Sequence, residues 1–102
     1  MRIIVMFDLP VGTAGQRREA TRFRNFLLRD GYSMMQFSVY VRICNGADAV
    51  MKHKTRLEGE GPQNGSVRML VVTERQYAAM DILLGEFVPA DLPSASAQIS
   101  FF

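Results

Sequence analysis

Arg2-Ile3-Ile4-Val5-Met6-Phe7-Asp8-Leu9-Pro10 carries an unbroken apolar run, Ile3 to Phe7, closed by a carboxylate and a proline. Arg2 to Asp8, with this run bounded by turn residues, reads as a strand, and the run is far too short to cross a bilayer, which takes roughly 20 apolar residues. The two-residue period of a strand puts Ile3, Val5 and Phe7 on one face and Ile4 and Met6 on the other. Both faces are therefore apolar, the pattern of a strand inside a sheet that is covered twice. Leu9-Pro10-Val11-Gly12 ends it.

Thr13 with Gln16 three positions on makes a capping box, and the pattern predicts a helix from Ala14 to Asp30 ended by Gly31. At 100° per residue, Ala20, Phe23 and Leu27 form its buried stripe, with Arg17 and Arg24 flanking that stripe; Arg18, Arg22 and Arg29 gather on the opposite side. Tyr32 to Cys44, rich in β-branched, aromatic and Met residues, reads as one long strand with Met35, Phe37, Val39 and Val41 on one face. Asn45 is placed to cap a second helix through Glu58, with Val50, Met51 and Leu57 inward and Lys52, Lys54 and Arg56 outward. A Gly- and Pro-rich loop over 59–65 precedes a strand at Ser66 to Val72. Thr73 and Gln76 repeat the capping box before a short helix, Glu74 to Met80, and Ile82 to Leu84 reads as a brief fourth strand.

Strands alternating with helices in 102 residues predict one two-layer α/β sandwich over 1–86, helices on one sheet face, followed by a linker and tail over 87–102. Because the strands are apolar on both sides, the expected cover for the other sheet face is a second copy, giving a two-fold homodimer. The apolar ending Ile99, Phe101 and Phe102 is either a strand that docks on a partner or a frayed end.

Charge is unevenly spread. Residues 1–56 carry ten Lys and Arg against four Asp and Glu, and the remaining residues two against six, within a net charge of only +2. A basic front half suits a polyanionic partner, although clustered arginines also serve simply to keep a helix face wet. Cys44 is the only cysteine and His53 the only histidine, which excludes an internal disulfide and a zinc knuckle. No apolar span or export signal appears, so a cytoplasmic, membrane-free setting is expected.

Asp8 is the acid best placed for chemistry, at the carboxyl end of an apolar strand. A two-fold dimer would supply it twice, enough to begin an oxygen site for Mg²⁺ or Mn²⁺ that could activate water against a phosphodiester; the alternative is a simple turn before Leu9 and Pro10. The arginines of the first helix offer forked contacts to phosphate, which position a nucleic acid without reading its sequence. His53, between Lys52 and Lys54, is expected to be solvated, and Cys44 to be a small core residue.

The opening strand with Asp8, then Arg17-Arg18, Phe23-Arg24-Asn25-Phe26-Leu27, Gln36-Phe37-Ser38-Val39-Tyr40 and Val72-Thr73-Glu74-Arg75-Gln76-Tyr77, together resemble the CRISPR-associated "Cas-two" family. The likeness is greatest to members from loci with a single RNA-guided effector nuclease. The resemblance implies a ferredoxin-like homodimer with facing sheets that bridges dimers of the "Cas-one" integrase and holds duplex DNA during insertion of new spacers. It implies that Arg17 and Arg18 lie on duplex phosphate, that Asp8 is a metal-binding acid, and that Phe37 and Ser38 form a signature that is either structural or near the site. The alternative activity it implies is that of a Mg²⁺-dependent endonuclease acting on RNA, including single-stranded RNA, or on duplex DNA. Val41 and Arg42 follow Tyr40 where some branches carry an acid, which argues against a larger acidic site.

Overall fold

In the computed structural model, which describes residues 1–91, the elements run β1 (Arg2–Asp8), α1 (Ala14–Arg29), β2 (Ser33–Gln36), β3 (Val39–Ile43), α2 (Ala47–Glu60), β4 (Ser66–Val72) and α3 (Glu74–Ala78), with a 3₁₀ turn at Pro89–Asp91. The strands form one antiparallel sheet in the order β2-β3-β1-β4. β1 lies inside the sheet, with Ile4 opposite Val41 on one side and Leu70 on the other. The order β-α-β-β-α-β with α2 inserted between β3 and β4 is the ferredoxin-like arrangement.

Ile3, Val5 and Phe7 point from β1 into the main core, where they meet Phe23 and Leu27 of α1 and Val50 and Leu57 of α2. The Phe7 ring meets Phe23 edge-on at 5.2 Å and stacks on Tyr40 at 5.7 Å. Each such side chain, taken out of water, stabilises the fold by about 1.5–3 kcal/mol. α1 begins where the capping box predicts: Thr13 Oγ1 accepts the Gln16 N–H at 3.1 Å and Gln16 Oε1 accepts the Thr13 N–H at 3.0 Å. Thr73 and Gln76 do the same for α3. Gly31, at φ +92°, lets the chain turn out of α1 beneath the Arg42 guanidinium, in space that a side chain would occupy.

Several sequence expectations need correction. Tyr32 to Cys44 is not one strand but the hairpin β2-β3, turned at Phe37 and Ser38 with Ser38 at φ +62° and an irregularity between Met34 and Gln36. No Gly, Pro, Asn or Asp marks that turn; a Ser takes the left-handed conformation instead, so composition hid it. Ile82 to Leu84 forms no strand, and Leu83 and Leu84 lie almost wholly in solvent; the fourth strand comes from the divided hairpin. α2 is not capped by Asn45: it starts after Gly46, at φ +88°, with no side-chain cap bond, and Met51 faces outward. His53, finally, is buried.

The second sheet face is not bare within one chain. Ile4 and Val41 pack there against Tyr77 and Ala90, with Met6, Met35, Val39 and Val88 around them. The buried Arg2 side chain fastens this cover: its Nε donates to Glu74 Oε2 at 2.6 Å, its Nη1 to the Ala90 carbonyl at 2.6 Å, and its guanidinium lies 4.0 Å from the Tyr77 ring centre. Tyr77 donates to Asp91 at 2.6 Å, and burial with the Asp91 carboxylate pushes its phenol pKa up to about 12. Leu70 and Arg68 of β4 remain exposed on this face. The docking strand expected near the end of the chain lies outside the described residues.

Candidate nucleic-acid interface

α1 turns its arginines outward because its inner stripe is taken up by Ala20, Phe23, Phe26 and Leu27. Arg17, Arg18, Arg22 and Arg29 line one open groove of about 600 Å³ along the helix, with Thr21 and Asn25 between them. Arg17 to Arg29 spans about 18 Å at the 1.5 Å rise of a helix. The four are not equivalent. Arg18 and Arg29 form no ion pair among the described residues. Arg17 Nη1 donates to the Val11 carbonyl at 3.2 Å, which leans it over the β1–α1 loop. Arg22 is bound to Glu19 at 2.6 Å and to Glu60 at 3.2 Å, the last residue of α2.

Asp8 stands exposed at the end of β1, opposite Ser66 of β4. The adjoining turn presses on it: Gly65 is at φ +99°, and a Cβ there would sit 2.5 Å from the Asp8 carbonyl oxygen. The Phe7 N–H donates to the Ser38 carbonyl at 3.0 Å, so the β2–β3 turn reaches the same end of the sheet. Asp8, Ser38, the exposed Phe37 and the first turn of α1 thus share one end of the molecule.

One chain does not make up a metal site there. Among the described residues no group of three or more His, Cys, Asp or Glu side chains could hold an ion, while Mg²⁺ fills most of its six oxygen positions with water and substrate phosphate and takes one or two carboxylates from a protein.

The sequence missed a buried polar cluster at the far end of α1. His53 Nδ1 lies 2.8 Å from Asp30 Oδ2, Arg56 Nη1 donates to Asp30 Oδ1 at 2.5 Å, and Arg42 donates to the Asp30 carbonyl. Nothing in the Lys52-His53-Lys54 triplet announces this, because the partner caps the end of another helix. The only local signal is that His53 falls on the same helix face as Val50 and Leu57. Cys44 is buried, as expected of a small core residue.

Residues 1–80, from β1 through α3, match the model of the family described as CRISPR associated protein Cas2. The chain belongs to that family. A Cas2 relative from Acidovorax ebreus is 52% identical over 102 residues, the whole of both chains. Another from Campylobacter jejuni is 41% identical over all of this chain and 71% of its own length, and one from Ligilactobacillus salivarius is 39% identical over 97% of this chain and 98% of its own. Each of these Cas2 relatives bears the name CRISPR-associated endoribonuclease. Among the described residues no helix is long and apolar enough to cross a membrane.

Proposed function

We propose that this Cas2-family chain works in the cytoplasm as the DNA-holding scaffold of CRISPR adaptation, a homodimer that binds duplex DNA along α1 and bridges integrase dimers of the "Cas-one" type. The observation that carries this reading is the arginine groove: Arg17, Arg18 and Arg29 lie along one solvent-facing helix with guanidinium groups that form no ion pair among the described residues. Such groups neutralise backbone phosphate and leave the bases unread, as a protein must when it accepts DNA of any sequence. Two copies related by a two-fold axis would double the stripe, and the exposed Leu70 on the second sheet face supports a partner copy seated there.

The test is duplex binding by wild type and by the Arg18→Ala, Arg29→Ala double variant across a salt series. The expected result is weaker binding to unrelated duplexes alike, with the slope of log K against log salt flatter by about 0.9 for each contact removed. An unchanged slope moves the DNA surface away from α1.

A second reading is a divalent-metal-dependent nuclease cutting RNA or duplex DNA, with Asp8 supplied by both copies and Mg²⁺ or Mn²⁺ as the metal. The endoribonuclease name of the relatives supports it. Against it stands the thin acidic chemistry of one chain, where Asp8 has no partner carboxylate within a ligand cluster among the described residues.

A further inference from the structure

Arg22 sits one helical turn from Arg18 in the same groove, yet its guanidinium is already occupied. Nε and Nη2 grip Glu19, with the shortest contact at 2.6 Å from Nη2 to Oε1. Nη1 donates to Glu60 Oε2 at 3.2 Å and Nη2 to the Glu60 carbonyl at 3.0 Å. All three side chains are substantially exposed, at 39% for Arg22, 40% for Glu19 and 50% for Glu60. Ion pairs this wet are weak and exchange readily. Hydrogen bonding to Arg22 lowers the Glu19 pKa and hydrogen bonding to Glu19 raises that of Arg22, so both stay charged near neutral pH.

We infer that Glu19 and Glu60 hold Arg22 in reserve, so that a polyanion gains this guanidinium only by displacing the two carboxylates, and the pair thereby sets the affinity of the α1 groove. The inference rests on the duplex-binding reading and adds a regulating element to it. A phosphate offers the same forked acceptor geometry as a carboxylate, so the exchange keeps the hydrogen bonds of Arg22 satisfied. It leaves two carboxylates beside the phosphate, and their repulsion keeps binding to short or weakly charged partners low. The competing account is that Arg22 only tethers the helices. α2 has no basic residue in its last turn, and Arg22 supplies a positive charge and a donor to its terminal carbonyl.

The experiment is duplex binding over a salt series for Glu60→Gln and Glu19→Gln, each alone and with Arg22→Gln, beside Arg18→Ala. Glu60→Gln keeps the main-chain carbonyl that Arg22 caps, so the α2 end stays tied. Each Glu→Gln change is expected to tighten binding about two- to five-fold, the worth of one exposed ion pair. Each is also expected to steepen the salt slope by up to about 0.9, one phosphate contact. Both gains should vanish in the Arg22→Gln background. Unchanged affinity and slope would leave Arg22 a tether and overturn the inference; so would a gain of equal size without Arg22, which reports only the lost negative charge. Should Arg22→Gln unfold by circular dichroism, Arg22→Lys replaces it as the background: it keeps the charge but not the forked contact, so the gains of the Glu→Gln changes should shrink there if a phosphate takes the freed fork and persist in full if only negative charge was lost. Arg18→Ala separates the two levels: a flatter slope there with inert Glu variants sinks only the inference, whereas an unchanged slope sinks the groove itself.

Discussion

His53 Nδ1 and Asp30 Oδ2 meet at 2.8 Å with both side chains almost entirely out of water, and this contact ties α2 to the residue that caps α1. Burial works to raise the Asp30 pKa, but hydrogen bonds from His53 and Arg56, and their charge, outweigh it and hold the carboxyl below its usual range. A carboxylate whose pKa is lowered by folding contributes stability above its unfolded pKa, about 3.9, and that contribution is lost as pH falls through the folded value. Asp30→Asn should therefore cost about 1–3 kcal/mol near pH 7 and progressively less below about pH 4. Urea midpoints measured from pH 7 down to pH 3 check this; a constant gap across that range would show that the charge of Asp30 is not what matters.

The Arg2 clamp predicts a local effect on the other face of the sheet. Arg2→Met keeps an apolar stem over Tyr77 but leaves the Ala90 carbonyl without this donor and frees Glu74. The expected cost is about 2–3 kcal/mol, within the range for losing a buried charged hydrogen bond. It should fall first on residues 82–91, where Leu83 and Leu84 already lie in solvent. Limited proteolysis with amino-terminal sequencing of the fragments should show cleavage in that stretch at enzyme doses the wild type survives. Cleavage in α1 or α2 instead would mean that the whole body loosens.

What the sequence disclosed follows from where the decisive interactions lie. β1, α1 and both capping boxes were legible because period and caps are local: Thr13 meets Gln16 and Thr73 meets Gln76 within a single turn. The β2–β3 turn was hidden because Ser38 adopts positive φ without the usual Gly or Asn. Asn45 promised a cap, yet the helix started after Gly46, which shows how weakly one residue binds a boundary. In the candidate site, the outward face of Arg18 and Arg29 could be read from helical period, whereas the engagement of Arg22 by Glu60 is a contact between helices far apart in the chain. The burial of His53 was missed for the same reason.

Gly65→Ala tests how firmly the end of β1 is set. The substitution places a Cβ at φ +99° against the Asp8 carbonyl and the Leu9 side chain. Left-handed strain alone costs about 1–3 kcal/mol, and backbone rather than a movable side chain is what must yield. A drop of that size in urea-unfolding free energy is expected, with amide chemical shifts moving at Asp8 and Ser66, which face each other across β1 and β4. Stability within about 0.5 kcal/mol of wild type, the range of an ordinary surface change, would mean the turn has another conformation open to it.

Asp8→Ala separates the scaffold from the nuclease. The side chain is exposed and belongs to no ligand cluster of the described chain, so its removal should leave folding within about 0.5 kcal/mol of wild type, as for most surface changes. Duplex binding and its salt slope should also persist, because the groove arginines are untouched. Spacer integration in cells carrying Asp8→Ala should then match wild type, while any cleavage of RNA or duplex DNA by the purified protein in Mg²⁺ disappears as it does in chelator. Retained integration with lost cleavage makes Asp8 the acid of a separate activity. If integration fails although the variant folds, dimerises and still captures the integrase, the carboxylate belongs to the insertion process itself, and the scaffold reading gives way to one in which Asp8 does chemistry.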